Sequence, residues 1–102
     1  MHRYYIIREW ITDHGHRCEC LESSTDLEAS YYRLDELSAL GSMEGATHVS
    51  LWCRQLGDVF SRHLWTESVS GGTDWRLIAS RVGHYDSDCD RAISDYRQRH
   101  CA

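Results

Sequence analysis

The spacing of apolar residues near the start of the chain predicts a β-hairpin. Residues 3–11, RYYIIREWI, are rich in β-branched and aromatic side chains and predict a first strand. Residues 16–22, HRCECLE, predict the strand that returns from it. Thr12 to Gly15 predicts the turn between them, because Gly15 can adopt a positive φ.

A helical spacing of apolar residues follows the hairpin. Thr25 and Glu28 stand at capping-box spacing, so the helix is expected to begin at Thr25, and Asp26 suits the positive end of the helix dipole. Gly41 is a candidate stop after the last apolar residue. The predicted buried stripe consists of Leu27, Tyr31, Leu34 and Leu37.

The second half of the chain predicts further strands and a closing helix. Residues 47–55 and 58–68 are strand-like, and residues 75–82, WRLIASRV, predict a fifth strand. A last helix is expected near 88–99, with Asp86 or Ser87 as its cap, and its stripe is Cys89, Ala92, Ile93 and Tyr96. The order ββαβββα predicts one α+β domain over residues 1–102, in which an antiparallel sheet of about five strands carries two helices on one face.

The charge and the cysteine count narrow the classes of function. A formal charge of −5 disfavours direct binding to nucleic acid or to an anionic membrane surface, because both need a basic face. The first ten residues lack the pattern of a signal peptide, since Arg8 and Glu9 interrupt a short apolar run. Five cysteines, an odd number, then predict reduced thiols in a cytoplasm.

The stretch DHGHRCEC, Asp13 to Cys20, concentrates residues that can bind metals. Neighbouring side chains on one strand face could share a zinc ion, and the pair would be Cys18 and Cys20. A closed zinc site would need two more ligands from elsewhere, and the candidates are His48, Cys53 and His63. Because no second close ligand pair is visible, we expect no metal or other cofactor and interpret both cysteines as small core residues.

An acidic cluster begins the predicted last helix. The stretch DSDCD, Asp86 to Asp90, starts like a calcium-binding EF-hand loop, but Arg91 stands where that loop needs glycine. The stretch therefore reads as a capped helix start whose acidic residues Asp86, Asp88 and Asp90 could also meet a basic partner.

The aromatic residues suggest an interaction surface. If helices cover one face of the sheet, on the side of Leu51 and Leu64, then Trp52 and Trp65 are left on the open face beside Arg54. Trp and Arg are typical of binding hot spots. There are two alternatives to a surface that binds another protein. The core could be covered on both faces of the sheet, or a homodimer could bury the second face.

The preferred functional hypothesis is protein binding without catalysis. Small acidic α+β chains with no catalytic motif are typical of phage and mobile-element inhibitors or accessory proteins, including anti-CRISPR, other anti-defence and toxin-immunity proteins. The partner would be a larger host or cognate protein, which could present a basic surface. The alternatives are a zinc-stabilised regulatory or binding domain that uses Cys18 and Cys20, and a small enzyme built on His and Cys.

Overall fold

The computed structural model describes residues 2–39 and 44–100 and confirms the α+β class. Its five strands form one antiparallel sheet in the spatial order β2-β1-β3-β4-β5. In chain order, the elements are β1 His2–Thr12, β2 Gly15–Ser24, α1 Leu27–Ala39, β3 His48–Gln55, β4 Arg62–Ser68, β5 Gly72–Thr73, α2 Trp75–Arg81 and α3 Ser87–His100. No helix in the described ranges is long and apolar enough to cross a membrane.

The predicted hairpin is confirmed and is longer than expected. β1 and β2 pair antiparallel, Thr12 lies opposite Gly15, and Gly15 has a φ of 143°. This backbone conformation favours glycine, because residues with a side chain rarely adopt a φ in this region. The hairpin forms one edge of the sheet and carries DHGHRCEC across its turn.

The first helix begins two residues later than predicted because Asp26, and not Thr25, caps it. The Asp26 carboxylate accepts a hydrogen bond from the Ala29 N–H at 3.0 Å, which satisfies one of the free donors of the first turn. Leu34 is fully buried, whereas Leu27 is 40% exposed, so the predicted stripe is only partly correct. The predicted stop at Gly41 lies outside the described residues.

The predicted fifth strand over 75–82 is wrong, because these residues form helix α2, Trp75–Arg81. Asp74 caps this helix by accepting a hydrogen bond from the Leu77 N–H at 3.0 Å. A short apolar run fits either a strand or a helix, and the cap decides in favour of the helix. The fifth strand is instead the two-residue Gly72–Thr73, so the described elements run ββαβββαα.

Helices cover both faces of the sheet, which contradicts the expectation of a single covered face. On one face, Leu34 of α1 packs with Ile6 and Leu51. On the other face, Cys89 and Ile93 of α3 pack with a second set of strand residues, namely Tyr5, Ile7, Cys20 and Trp52. Both sides of the central strands are therefore core, which explains why apolar residues there do not alternate with polar ones.

Candidate functional site

Four side chains of the types that can bind a metal meet on the face of the sheet that α3 covers. Glu9 comes from β1, His16 and Cys18 come from β2, and Cys89 comes from the first turn of α3. One ligand atom from each lies within 4.8 Å of every other. We call these four residues the thiol cluster.

Short contacts link the members of the thiol cluster. His16 Nε2 lies 3.1 Å from Cys18 Sγ and 2.7 Å from Glu9 Oε1. Cys89 Sγ lies 3.6 Å from Cys18 Sγ and 3.3 Å from Glu9 Oε1. The two sulfurs are much farther apart than a disulfide bond, so both thiols are reduced.

Local structure explains why these four side chains converge. Positions two apart on a strand face the same side, which places His16 and Cys18 on the face that also carries Glu9 through the pairing of β1 with β2. The Asp86 carboxylate caps α3 by accepting from the Cys89 N–H at 3.0 Å. This cap starts the helix where Cys89 points into the sheet, and Cys89 is fully buried.

The cluster contains a polarised Cys–His pair. The hydrogen bonds that His16 donates to Cys18 and Glu9 raise the pKa of His16 to about 10. Hydrogen bonds from Cys89 and His16 outweigh burial and lower the pKa of Cys18 to about 7. The contact with Cys18, together with burial, raises the pKa of Cys89. Near neutral pH, Cys18 therefore has thiolate character, His16 is an imidazolium, and Cys89 keeps its proton.

A buried arginine completes the surroundings of the cluster. Arg81, at the end of α2, makes a two-pronged ion pair with the fully buried Glu9, one prong of which joins Nη1 to Oε2 at 2.9 Å. Burial by itself would raise the pKa of Glu9, but the hydrogen bonds from His16 and Arg81 hold it below its ordinary value. Glu9 is thus a carboxylate within the core, and its charge is compensated there.

The arrangement allows three kinds of chemistry. A thiolate next to an imidazolium is the starting state of nucleophilic cysteine catalysis. Two thiols at 3.6 Å could be oxidised to a disulfide after a small movement. Two sulfurs, an imidazole and a carboxylate also form a ligand set that zinc accepts.

The structure places one member of the predicted Cys18 and Cys20 pair in the cluster. Cys20 is buried in the core, as interpreted from the sequence, and its Sγ lies 3.9 Å from the Glu22 carbonyl oxygen. Cys18 lies on β2 beside the first turn of α3, where its sulfur neighbour is Cys89. The other predicted ligands, His48, Cys53 and His63, do not belong to the cluster within the described residues.

The expectation of exposed tryptophans is wrong for Trp52, which is 1% exposed because α3 covers it. Trp65 is half-buried on the opposite face, where it lies across from Leu51. A register shift in the pairing of β3 with β4, between Leu51 and Trp52, puts Trp65 and Leu64 in the same cluster. A β-bulge of this kind breaks the simple alternation on which the prediction relied.

Two of the other predicted binding residues form an internal ion pair. Arg54 Nη2 donates to Asp90 Oδ1 at 2.6 Å, and both side chains are largely buried. Asp90 also accepts hydrogen bonds from the Ser61 N–H and the Tyr85 hydroxyl. Asp86 caps α3, whereas the Asp88 side chain is 46% exposed. Two of the three aspartates of the predicted acidic patch, Asp86 and Asp90, therefore make internal contacts that stabilise the fold.

Sequence reasoning missed Glu9, Arg81 and the role of Cys89. One signal was available for Glu9: it lies on the same strand face as Tyr5 and Ile7, and a carboxylate there must be paired. Nothing in the local sequence identifies Arg81 as its partner.

Comparisons of the chain with protein-family models, with curated proteins and with solved structures find no match.

Proposed function

We propose that this chain is a cytoplasmic partner-binding protein without catalysis, and that it binds through an apolar tip. The tip consists of the exposed residues Leu56, Val59 and Phe60 of the β3–β4 loop together with Tyr85, which precedes α3. Their exposed fractions are 73%, 71%, 62% and 56%, and this exposure is the observation that carries the proposal. Large exposed apolar groups that lie together are typical of interaction sites.

The tip is held in place by the buried ion pair beneath it. Phe60 and Tyr85 make an edge-to-face contact with their ring centroids 4.8 Å apart. Directly after Phe60, the Ser61 N–H and hydroxyl are bound by Asp90 and Arg54 at 2.8 and 2.9 Å. A loop fastened in this way loses little conformational freedom on binding, which favours affinity.

The surroundings of the tip indicate the chemistry of the partner. Beside Leu56 lies a recess of about 330 Å³, and Arg3 and Arg97 are among its lining residues. Such a recess suits a carboxylate of the partner, because arginine binds carboxylates in a two-pronged geometry. We therefore propose a protein partner with an apolar pocket for Phe60 and an acidic side chain beside it. The sequence suggested a partner with a basic surface. Of the three predicted aspartates, however, only Asp88 is half-exposed and able to contact such a surface.

The finer assignment is an inhibitor or accessory protein of phage or mobile-element type. It is supported by the small size and acidic charge of the chain and by the absence of a catalytic motif from its sequence. Anti-CRISPR, other anti-defence and toxin-immunity proteins remain the specific forms of this proposal, and the identity of the partner decides among them.

Affinity capture with matched variants tests the proposal. The wild type, Phe60→Ala and the control Tyr32→Ala serve as baits, since Tyr32 is 69% exposed on α1 and lies outside the tip. We expect one protein to be captured by the wild type and by Tyr32→Ala, with Phe60→Ala binding it about 30-fold more weakly, as for a hot-spot residue. Equal binding by all three baits contradicts the proposed tip. Recovery of a second copy of this chain alone replaces the proposal with a homodimer.

A further inference from the structure

We propose that the thiol cluster is a structural zinc site in which Cys18, Cys89, His16 and Glu9 bind one Zn²⁺ ion. This inference is independent of the partner-binding function. It also differs from the site expected from the sequence, because Cys89 replaces Cys20 and the ligands come from three elements of the fold.

Two distances between ligand atoms are close to those of a tetrahedral zinc site, and two are shorter. Zinc–sulfur bonds of about 2.3 Å and zinc–nitrogen bonds of about 2.0–2.1 Å place two sulfurs about 3.8 Å apart and mixed pairs about 3.3–3.6 Å apart. The two cysteine sulfurs are 3.6 Å apart, and Cys89 Sγ is 3.3 Å from Glu9 Oε1. The His16 contacts, at 3.1 and 2.7 Å, need to open by about half an ångström.

The second nitrogen of His16 has the partner that a metal-bound histidine usually has. When Nε2 binds the metal, Nδ1 carries the proton. Asp88 Oδ2 lies 3.4 Å from Nδ1, which is ion-pair range, and a small approach would make it a hydrogen bond. A carboxylate in this position fixes the ring and its tautomer and strengthens the metal bond. Asp88 is thus a positioning residue for the site and has a role besides its place in the acidic first turn of α3.

The charges of the ion, its four ligands and Arg81 balance. Zinc binding displaces the thiol proton of Cys89 and the Nε2 proton of His16, and both are released to solvent. In the occupied site Zn²⁺ carries two positive charges, and two thiolates with the Glu9 carboxylate carry three negative ones. The Arg81 guanidinium, which is paired with Glu9, brings the sum to zero. A neutral set of this kind avoids the large cost of an uncompensated charge in the core.

The burial of the ligands indicates a closed site rather than a catalytic one. Glu9 and Cys89 are 0% exposed, so little space is left for a water or a substrate on that side. The His16 side chain is 22% exposed, so the ion can reach the site from solvent on this side. The bound ion would fasten α3 to both strands of the hairpin, which is how structural zinc contributes to folding.

Metal loading of the reduced protein tests this site, with Zn²⁺ and Co²⁺ as probes. We expect about one zinc per chain by elemental analysis, and a Co²⁺ spectrum with thiolate charge-transfer bands and the intense visible bands of tetrahedral cobalt. Cys89→Ser and His16→Gln are expected to lose stoichiometric zinc. Cys20→Ser, which removes a buried cysteine outside the cluster, is expected to keep it. Asp88→Asn should bind zinc about 10- to 100-fold more weakly, whereas Asp95→Asn on the same helix should bind as the wild type does.

Several outcomes would overturn the proposal. One is a reduced wild type that binds less than about one tenth of an equivalent of either metal. Another is Co²⁺ binding without thiolate bands. A third is equal zinc binding by the Cys89→Ser and Cys20→Ser variants. Rapid alkylation of Cys18 in a chain that takes up no metal would assign the cluster to thiol chemistry instead.

Discussion

Cys18 and Cys89 lie 71 positions apart in the chain, and their sulfur atoms lie 3.6 Å apart in the structure. This contact joins the returning strand of the hairpin to the first turn of the C-terminal helix. It forms only when α3 packs on the sheet, so the chemistry of the cluster and the stability of this packing depend on each other.

Leu34→Ala is expected to destabilise the protein by about 2–5 kcal/mol, because Leu34 is fully buried between α1 and the sheet and its truncation leaves a cavity. Tyr32→Ala on the exposed side of the same helix should change the free energy of unfolding by less than about 0.5 kcal/mol. Urea unfolding of both variants measures the difference. Similar values for the two variants would show that α1 does not pack in this orientation.

Arg81→Met is expected to destabilise the metal-free protein by about 3–5 kcal/mol, because it leaves the buried Glu9 carboxylate without its cation. The double variant Glu9→Gln/Arg81→Met should lose less than the sum of the two single variants, by more than about 0.5 kcal/mol. Arg76→Met, which removes an exposed arginine of the same helix, is the control. Additive losses, measured by denaturant unfolding with a chelator present, would mean that the two side chains are not coupled.

His63 is expected to make the protein less stable in acid. Its contribution lowers the free energy of unfolding as the pH drops from about 6.5 to about 4. Burial, and then the nearby Arg81, lowers the pKa of His63 to about 4. In this window the unfolded chain binds a proton that the folded chain does not, so acid favours unfolding. The contribution of His63 levels off about one pH unit above 6.5, where the unfolded imidazole has also lost its proton.

His63→Gln should make the stability less dependent on pH between 4 and 6.5 than it is in the wild type. The matched control is His14→Gln, since His14 lies in the exposed hairpin turn. Thermal or urea unfolding at several pH values gives the slopes. If the two variants show the same slope, His63 is not the group responsible.

The sequence was most informative where local signals agreed with one another. The hairpin has a strand composition on both sides of a glycine turn, and α3 combines the Asp86 cap with a stripe of buried residues, so both elements were predicted. Helix α2 was not, because its apolar run is short and the capping role of Asp74 was overlooked. The Trp52 prediction was wrong because local alternation does not show that a second helix covers the sheet.

Only two of the four residues of the candidate site could be recognised from the sequence, for a related reason. His16 and Cys18 stand out as neighbours in the sequence, and they are the two ligands that one strand supplies. Cys89 fits equally well as an apolar residue of a helix stripe. Glu9 shares a strand face with Tyr5 and Ile7, but the sequence does not show which groups pair with it. Their roles depend on contacts that span 80 positions of the chain, as between Cys89 and Glu9, and local periodicity carries no information about such contacts.

The central claim, that the thiol cluster binds a metal that fastens α3 to the hairpin, is tested most directly by urea unfolding of the reduced wild type with and without zinc. Free zinc at about 100 times its dissociation constant should raise the free energy of unfolding by about 2.7 kcal/mol, since the ion binds the folded chain. Cys20→Ser should show the same increase, and Cys89→Ser should show none. Unfolding curves of the wild type that coincide with and without zinc would contradict the claim.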